Sequence, residues 1–192
     1  MITFDADAHA YQLDGRPVPH VTGILREVFG ESYWKVDEWY LQRGTAVHHA
    51  VRLLMEGRLD WNSVDEVIEG RVKAAQKFTQ DFSKMLEGAK VEVRVASKHG
   101  FAGTADVIAE KIIVDWKGSI TPAAELQMAA YSLGAEETLG VKIGKGIAVE
   151  LRDDGTYRSK WYELRLARNQ FLAAMSIYNF KAKHGMLKGE AK

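Results

Sequence analysis

The order of apolar and polar positions predicts two helices ahead of most of the strands. From Val36 onward, apolar residues fall at Trp39, Tyr40, Val47, Ala50, Val51 and Leu54, the spacing of one helical face, and Gly57 supplies a stop. A second helical pattern, Val67, Val72, Ala75, Phe78, Phe82 and Leu86, follows "SVDE", in which Ser63 is the expected N-cap and Glu66 its capping-box partner. The period then changes to two. Val91, Val93 and Val95 alternate with Glu92 and Arg94, and Phe101 to Ala109 and Ile112 to Lys117 continue as strands. Thr121-Pro122 opens a helix to about Leu139. Two further strands, Gly146 to Leu151 and Tyr157 to Leu164, flank the turn "DDGT", and a last amphipathic helix runs from about Arg168 to His184, capped by Gly185. Near the start, short apolar stretches around Asp14-Gly15 predict a small hairpin. This order predicts an α/β chain, a mixed sheet covered by helices, in one domain over residues 1–192.

Composition narrows the chemistry. At 46% hydrophobic and 27% charged residues the chain has the make-up of an ordinary globular protein. It has no cysteine, which excludes thiolate zinc sites, cysteine-ligated iron–sulfur clusters, disulfides and cysteine nucleophiles together. No window approaches the roughly 18 apolar residues of a membrane span, and the N-terminus lacks a basic stretch followed by an apolar run, so a cytoplasmic protein without membrane contact is expected. Net charge is zero but uneven. Residues 1–140 hold 15 Lys+Arg against 21 Asp+Glu, and residues 141–192 hold 11 against 5. A basic C-terminal set, Lys142, Lys145, Arg152, Arg158, Lys160, Arg165 and Arg168, is therefore either a patch for a polyanion or the solvated faces of strands and a helix.

The stretch "GTADVIAEKIIVDWKGS" sets two aspartates and a lysine into otherwise apolar strands. A hairpin turning at Glu110-Lys111 pairs Ala109 with Ile112, Ile108 with Ile113, and Asp106 with Asp115. Like charges directly opposite each other are destabilising unless something compensates, and a divalent cation does. Strand alternation puts Asp115 and Lys117 on one face and Trp116 on the other. Two hard oxygen donors with room for water and a phosphate suit Mg²⁺ or Mn²⁺, and an amine alongside positions water or stabilises phosphoryl charge. The competing reading is a solvated hairpin face with an exposed Asp115–Lys117 ion pair.

Three motifs in order carry a resemblance. "GTADVIAEKIIVDWKGS" resembles the GxxD and D-x-K elements of the PD-(D/E)XK nuclease superfamily, "AELQMAAYSLG" resembles the Q-x-x-x-Y signature of its RecB-like branch, and "RGTAVHHAV" resembles that branch's G-T-x-x-H helix. The opening "HAYQLDGRPVPHVTGIL" also looks like the leader of many phage and bacterial members, with His20 where relatives commonly carry a serine. The resemblance implies a restriction-endonuclease-like core, without the iron–sulfur cluster of some members. It implies Asp106 and Asp115 as metal ligands joined by the carbonyl of Trp116, and His48 as a further ligand. It makes Lys117 the residue that orients water, Gln127 and Tyr131 the pair that supports the lysine or contacts DNA, and Glu92 the acidic residue preceding the GxxD strand. Each has a plainer alternative: a structural or solvent-facing His48, a surface Gln127, a core Tyr131, and a Glu92 paired with a cation on its strand. The cluster "YWKVDEWY", Tyr33 to Tyr40, reads as core packing at helical spacing, with stacking of unpaired bases as its other reading.

The implied function is a Mg²⁺- or Mn²⁺-dependent deoxyribonuclease, an exonuclease acting on DNA in phage or bacterial recombination or repair, with a recombination or replication protein as partner. The other readings are a non-catalytic DNA-binding or assembly module that keeps the nuclease fold, and a hydrolase of small phosphoesters.

Overall fold

The computed structural model describes residues 2–5, 10–30 and 37–187. Its centre is a five-stranded mixed sheet in the order β4-β5-β6-β7-β8, formed by β4 (Lys90–Ser97), β5 (Phe101–Ile108), β6 (Ile112–Lys117), β7 (Lys145–Leu151) and β8 (Tyr157–Glu163). Neighbours run antiparallel except β6 and β7, which are parallel. A parallel pair needs a long crossover, and α4 (Ala123–Leu139) provides it. A three-stranded sheet of β1 (Ile2–Asp5), β2 (Ala10–Leu13) and β3 (Arg16–Val18) stands beside it. The expected hairpin is the β2–β3 connection. Leu13 pairs with Arg16, and the two turn residues Asp14 and Gly15 both have positive φ, 51° and 75°, as a tight primed turn requires.

Helices cover both faces of the large sheet, as the pattern predicts. On one face α1 (Val21–Phe29), α4 and α5 (Leu164–Lys183) bury Ile24, Leu25, Met128 and Phe171 against Val95, Phe101, Ile113 and Ala148. On the other, α2 (Glu38–Met55) and α3 (Glu66–Asp81) bury Val47, Val51, Val72 and Phe78 against Val107, Val114, Trp116 and Val149. Trp116 meets Phe78 edge-on with ring centroids 5.5 Å apart. Among the described residues no helix is long and apolar enough to cross a membrane.

Several local expectations differ from the structure. Ser63 does not cap α3; it closes a 3₁₀ turn, Trp61–Ser63, its hydroxyl donating to the Asp60 carbonyl at 2.7 Å, while Asp65 accepts the Val67 N–H at 2.8 Å. Ser63 and Asp65, two positions apart, are both cap-forming residues, and the one nearer the apolar pattern takes the role. The helix α1 was not anticipated: its apolar face is only Val21, Ile24, Leu25 and Val28, too short for a clear period. Thr121 makes no side-chain cap to α4. The last helix begins at Leu164, directly after β8, because Leu164 turns into the core rather than extending the strand. Trp39 and Tyr40, expected to pack inside, are 50% and 56% exposed. Val36, Tyr33 and Trp34 of the same expectation lie outside the described residues.

Candidate active site

Asp106 sits where its strand loses both neighbours. The β5–β6 ladder has the predicted register, Ile108 with Ile113 and Val107 with Val114, but it ends there, and Asp106 is not a ladder partner of Asp115. Instead the Asp106 carboxylate takes the next backbone donor, the Trp116 N–H at 2.8 Å to Oδ2. On its other side, the β4–β5 pairing passes from Val93–Ala105 to Val91–Val107 without a Glu92–Asp106 pair. Val93 and Ala105 pack toward α4, whereas Val91 and Val107, two residues along, pack toward α2 and α3. Simple alternation would keep them on one face, so the pleat breaks at Glu92 and Asp106. Glu92 carries the cost: its φ is +52°, a conformation that non-glycine residues rarely hold.

The break lets a third element in. His48 of α2 lies with Nδ1 3.2 Å from Asp106 Oδ1. One donor atom each from His48, Glu92 and Asp106 lies within 4.8 Å of the others. Asp115 is outside this triple but adjoins it electrostatically. On the α4 side of β6, Asp115 Oδ2 is 2.7 Å from Lys117 Nζ, and Nζ donates to Gln127 Oε1 at 2.9 Å. Gln127 Nε2 in turn donates to the Tyr131 hydroxyl at 2.8 Å. Lysine can only donate, and that fixes which way the amide faces: its oxygen must face Lys117, which leaves its nitrogen to donate to the Tyr131 hydroxyl. Gly103 makes the arrangement fit, since a Cβ there would lie 2.7 Å from the Tyr131 ring and 3.3 Å from Val21.

Electrostatics divides the two carboxylates. Burial pushes Asp106 up, but the His48 charge and hydrogen bond, Lys117 and the Trp116 N–H together hold its carboxyl below the ordinary value. Asp115 is 1% exposed, and burial, reinforced by the Asp106 charge, outweighs Lys117 and lifts it to about 6. His48 would be pushed down by burial, yet the Asp106 charge and hydrogen bond raise it to about 9. Partial burial and the Asp106 charge raise Glu92, although the residue as a whole is exposed. Burial, the Asp115 charge and the Asp106 charge hold the Tyr131 hydroxyl far above its usual value, against the Gln127 hydrogen bond.

A cleft of about 720 Å³ opens onto His48, Glu92, Asp106 and Tyr131. One face of α2 forms much of its wall: Tyr40, Leu41, Gly44, Thr45, His48, His49 and Arg52 recur at helical spacing. Among the described residues, nothing outside α2 itself lies within 4 Å of a Cβ built on Gly44, so the glycine leaves open cleft rather than room for a neighbour. Arg52, four residues beyond His48, and His20, the N-cap of α1, also line the cleft and carry no role in the motifs. The signal for Arg52 was the i, i+4 spacing from His48. Trp116 is placed with its ring in the α2–α3 core and its N–H on Asp106.

The basic C-terminal set is largely consumed internally. Arg168 donates to Ser132, Glu136 and the Ile143 carbonyl, Arg152 and Arg158 both pair with Glu150, Lys145 lies 3.6 Å from Glu163, and Lys160 covers the Tyr162 ring. Its strand β8 is also the sheet edge farthest from β4.

The donor set suits a divalent cation. Three ligand-type atoms converge, two of them hard carboxylate oxygens, and among the described residues the buried Asp115 Oδ2 has the Lys117 ion pair at 2.7 Å but no hydrogen bond. No protein-family model and no curated protein matches the sequence. Among solved structures, the chain is similar to a "putative exonuclease" from Eubacterium rectale, with 13% identity, 89% of this chain and 83% of that chain covered, and a TM-score of 0.61. The two share the fold. The alkaline exonuclease LHK-Exo from Laribacter hongkongensis aligns at 13% identity over 85% of this chain and 91% of its own, with a TM-score of 0.38.

Proposed function

We propose that this chain is a divalent-metal-dependent deoxyribonuclease, an exonuclease of DNA recombination or repair. The observation that carries the reading is the meeting of His48, Glu92 and Asp106 at the floor of an open cleft, beside a buried Asp115–Lys117–Gln127–Tyr131 chain. The three sequence motifs agree with it, as does a fold shared with a protein named as an exonuclease. His48, Glu92 and Asp106 would hold Mg²⁺ or Mn²⁺, with Asp115 adjoining. The bound cation supplies positive charge to the oxygens of the phosphodiester.

The residues of the chain do the rest. With no metal, the proton on His48 satisfies Asp106, so the imidazole must give up that proton before its nitrogen becomes a ligand. Lys117 Nζ donates to Gln127 and is drawn to Asp115 by charge, and protons on it remain for the attacking water or a phosphate oxygen. Tyr131 orients Gln127 and is itself set by Gly103. Hydrolysis adds water across a P–O bond: a hydroxyl joins phosphorus, and the departing oxygen takes a proton.

End-labelled linear and circular DNA, incubated with Mg²⁺, Mn²⁺ or EDTA, tests the reading. Mononucleotide release from linear DNA only, with metal only, is expected. Intact DNA under all conditions would refute it.

A further inference from the structure

Trp39 and Tyr40 are large rings about half exposed to solvent at the start of α2. They are nonetheless held. Trp39 meets Tyr40 edge-on with centroids 4.9 Å apart, and its ring lies under the Arg43 guanidinium at 5.4 Å. Arg43 is itself fixed: it donates to the Val67 carbonyl at 2.8 Å and pairs with Asp153, and its side chain is only 10% exposed. An exposed aromatic pair propped on an immobile guanidinium loses little freedom when something stacks on it, and that favours binding.

The position of the pair supplies the ligand. Tyr40 lies two helical turns before His48 on the same face of α2, and both line one cleft. Eight residues at 1.5 Å rise separate them by about 12 Å. An unpaired strand, which is not held to the rise of a stacked duplex, crosses that span in a few nucleotides. Phe4 of β1, backed by Tyr11 at 4.5 Å and by Arg94 at 5.4 Å, offers a further ring to the same cleft. Phe4 also stands with Arg52 and Glu92, so rings lie on either side of a phosphate-competent site, the pairing used to hold unpaired strands irrespective of sequence. In a duplex the faces of internal bases are already stacked on their neighbours and cannot meet Tyr40.

We propose that the α2 lip, Tyr40 propped by Trp39 and Arg43, is a stacking platform for an unpaired base of single-stranded DNA, a few nucleotides from the phosphate at His48 and Asp106. This rests on the nuclease reading for the class of ligand, but its test does not need cleavage. Fluorescence anisotropy of a labelled 12-nucleotide single strand would be measured in EDTA, where nothing is hydrolysed. Tyr40→Ala is expected to weaken binding about 5- to 150-fold, the range of one lost base stack. Tyr40→Phe should bind like the parent, because the ring and not the hydroxyl is used. Phe180→Ala, an exposed ring on α5, should also leave binding unchanged. A strand with abasic positions along its length should bind the parent protein as weakly as the intact strand binds Tyr40→Ala. Unchanged binding by Tyr40→Ala, equal loss in Tyr40→Phe, indifference to abasic positions, or an equal loss on blunt duplex would each overturn the proposal. Failure of the nuclease reading alone would show as intact DNA with metal while this binding pattern held.

Discussion

Replacing Asp115 with asparagine should stabilise the metal-free protein while abolishing its activity. The carboxyl is lifted from 3.8 to about 6 in the folded state, so folding with Asp115 ionised costs free energy. At about 1.4 kcal/mol per unit, the rise of roughly two units amounts to about 3 kcal/mol. That figure already includes the attraction of Lys117, which opposes the rise. An asparagine amide beside Lys117 Nζ brings an extra donor, which costs on the order of 1 kcal/mol. The net gain is about 2 kcal/mol at pH 8, or a midpoint rise of roughly 4–8 °C for a chain of this size. The sign of the pH dependence follows from the direction of the shift. The penalty is absent below about pH 4, grows while the unfolded carboxyl is ionised and the folded one keeps its proton, and is complete once the folded carboxyl ionises above about pH 6. Urea denaturation followed by tryptophan fluorescence in EDTA should show the variant ahead at pH 8 and its lead more than halved at pH 5. Saturating Mg²⁺ should reverse the order, since a ligand at a hundred times its Kd adds about 2.7 kcal/mol to the parent. A variant less stable than the parent in EDTA at pH 8, or a gain independent of pH, would refute the reasoning.

Metal affinity should rise with pH, because Asp115, near 6, and His48, near 9, both hold protons that a cation displaces. Mn²⁺ calorimetry in buffers of different ionisation heat should detect proton release at pH 7.5, and a flat affinity from pH 6 to 9 would contradict the site. The same shift makes His48 a source of metal-free stability that is present below about pH 6.5 and lost as pH rises through about 9, and His48→Ala should remove that slope in denaturation curves. Tyr131→Phe should lower kcat about 2- to 10-fold with KM little changed, since only the hydrogen bond that aims Gln127 is lost. Gly103→Ala should destabilise by about 1–3 kcal/mol in urea titrations, as its methyl meets the Tyr131 ring at 2.7 Å.

The residues that form the site were legible for different reasons. The β5–β6 register followed from alternation about Glu110-Lys111, and Lys117 with Gln127 and Tyr131 followed from motif order. What the sequence did not disclose was that the ladder stops one pair short of the aspartates. The break depends on Glu92 taking a positive φ, and a glutamate gives no warning of that as a glycine would. The metal-competent triple is consequently His48, Glu92 and Asp106, with Asp115 turned toward Lys117. Trp39 and Tyr40 were misplaced because helical spacing reports a face and not what covers it: Tyr40 lines the cleft wall, and Trp39 packs at the surface against Tyr40 and Arg43. The short helix α1 and the cap at Asp65 fell below what a single-sequence period resolves. The basic C-terminal residues were visible as charge, but their partners, Glu136, Glu150 and Glu163, come from elements brought together only by the fold.

Anomalous diffraction from crystals grown with Mn²⁺ would show whether the broken pleat at Glu92 and Asp106 takes a cation. A peak within bonding distance of Asp106 and His48 is expected, with the His48 to Asp106 hydrogen bond replaced. Crystals of protein that cleaves DNA in Mn²⁺ but shows no peak in this cleft, or shows one bound by other residues, would contradict it.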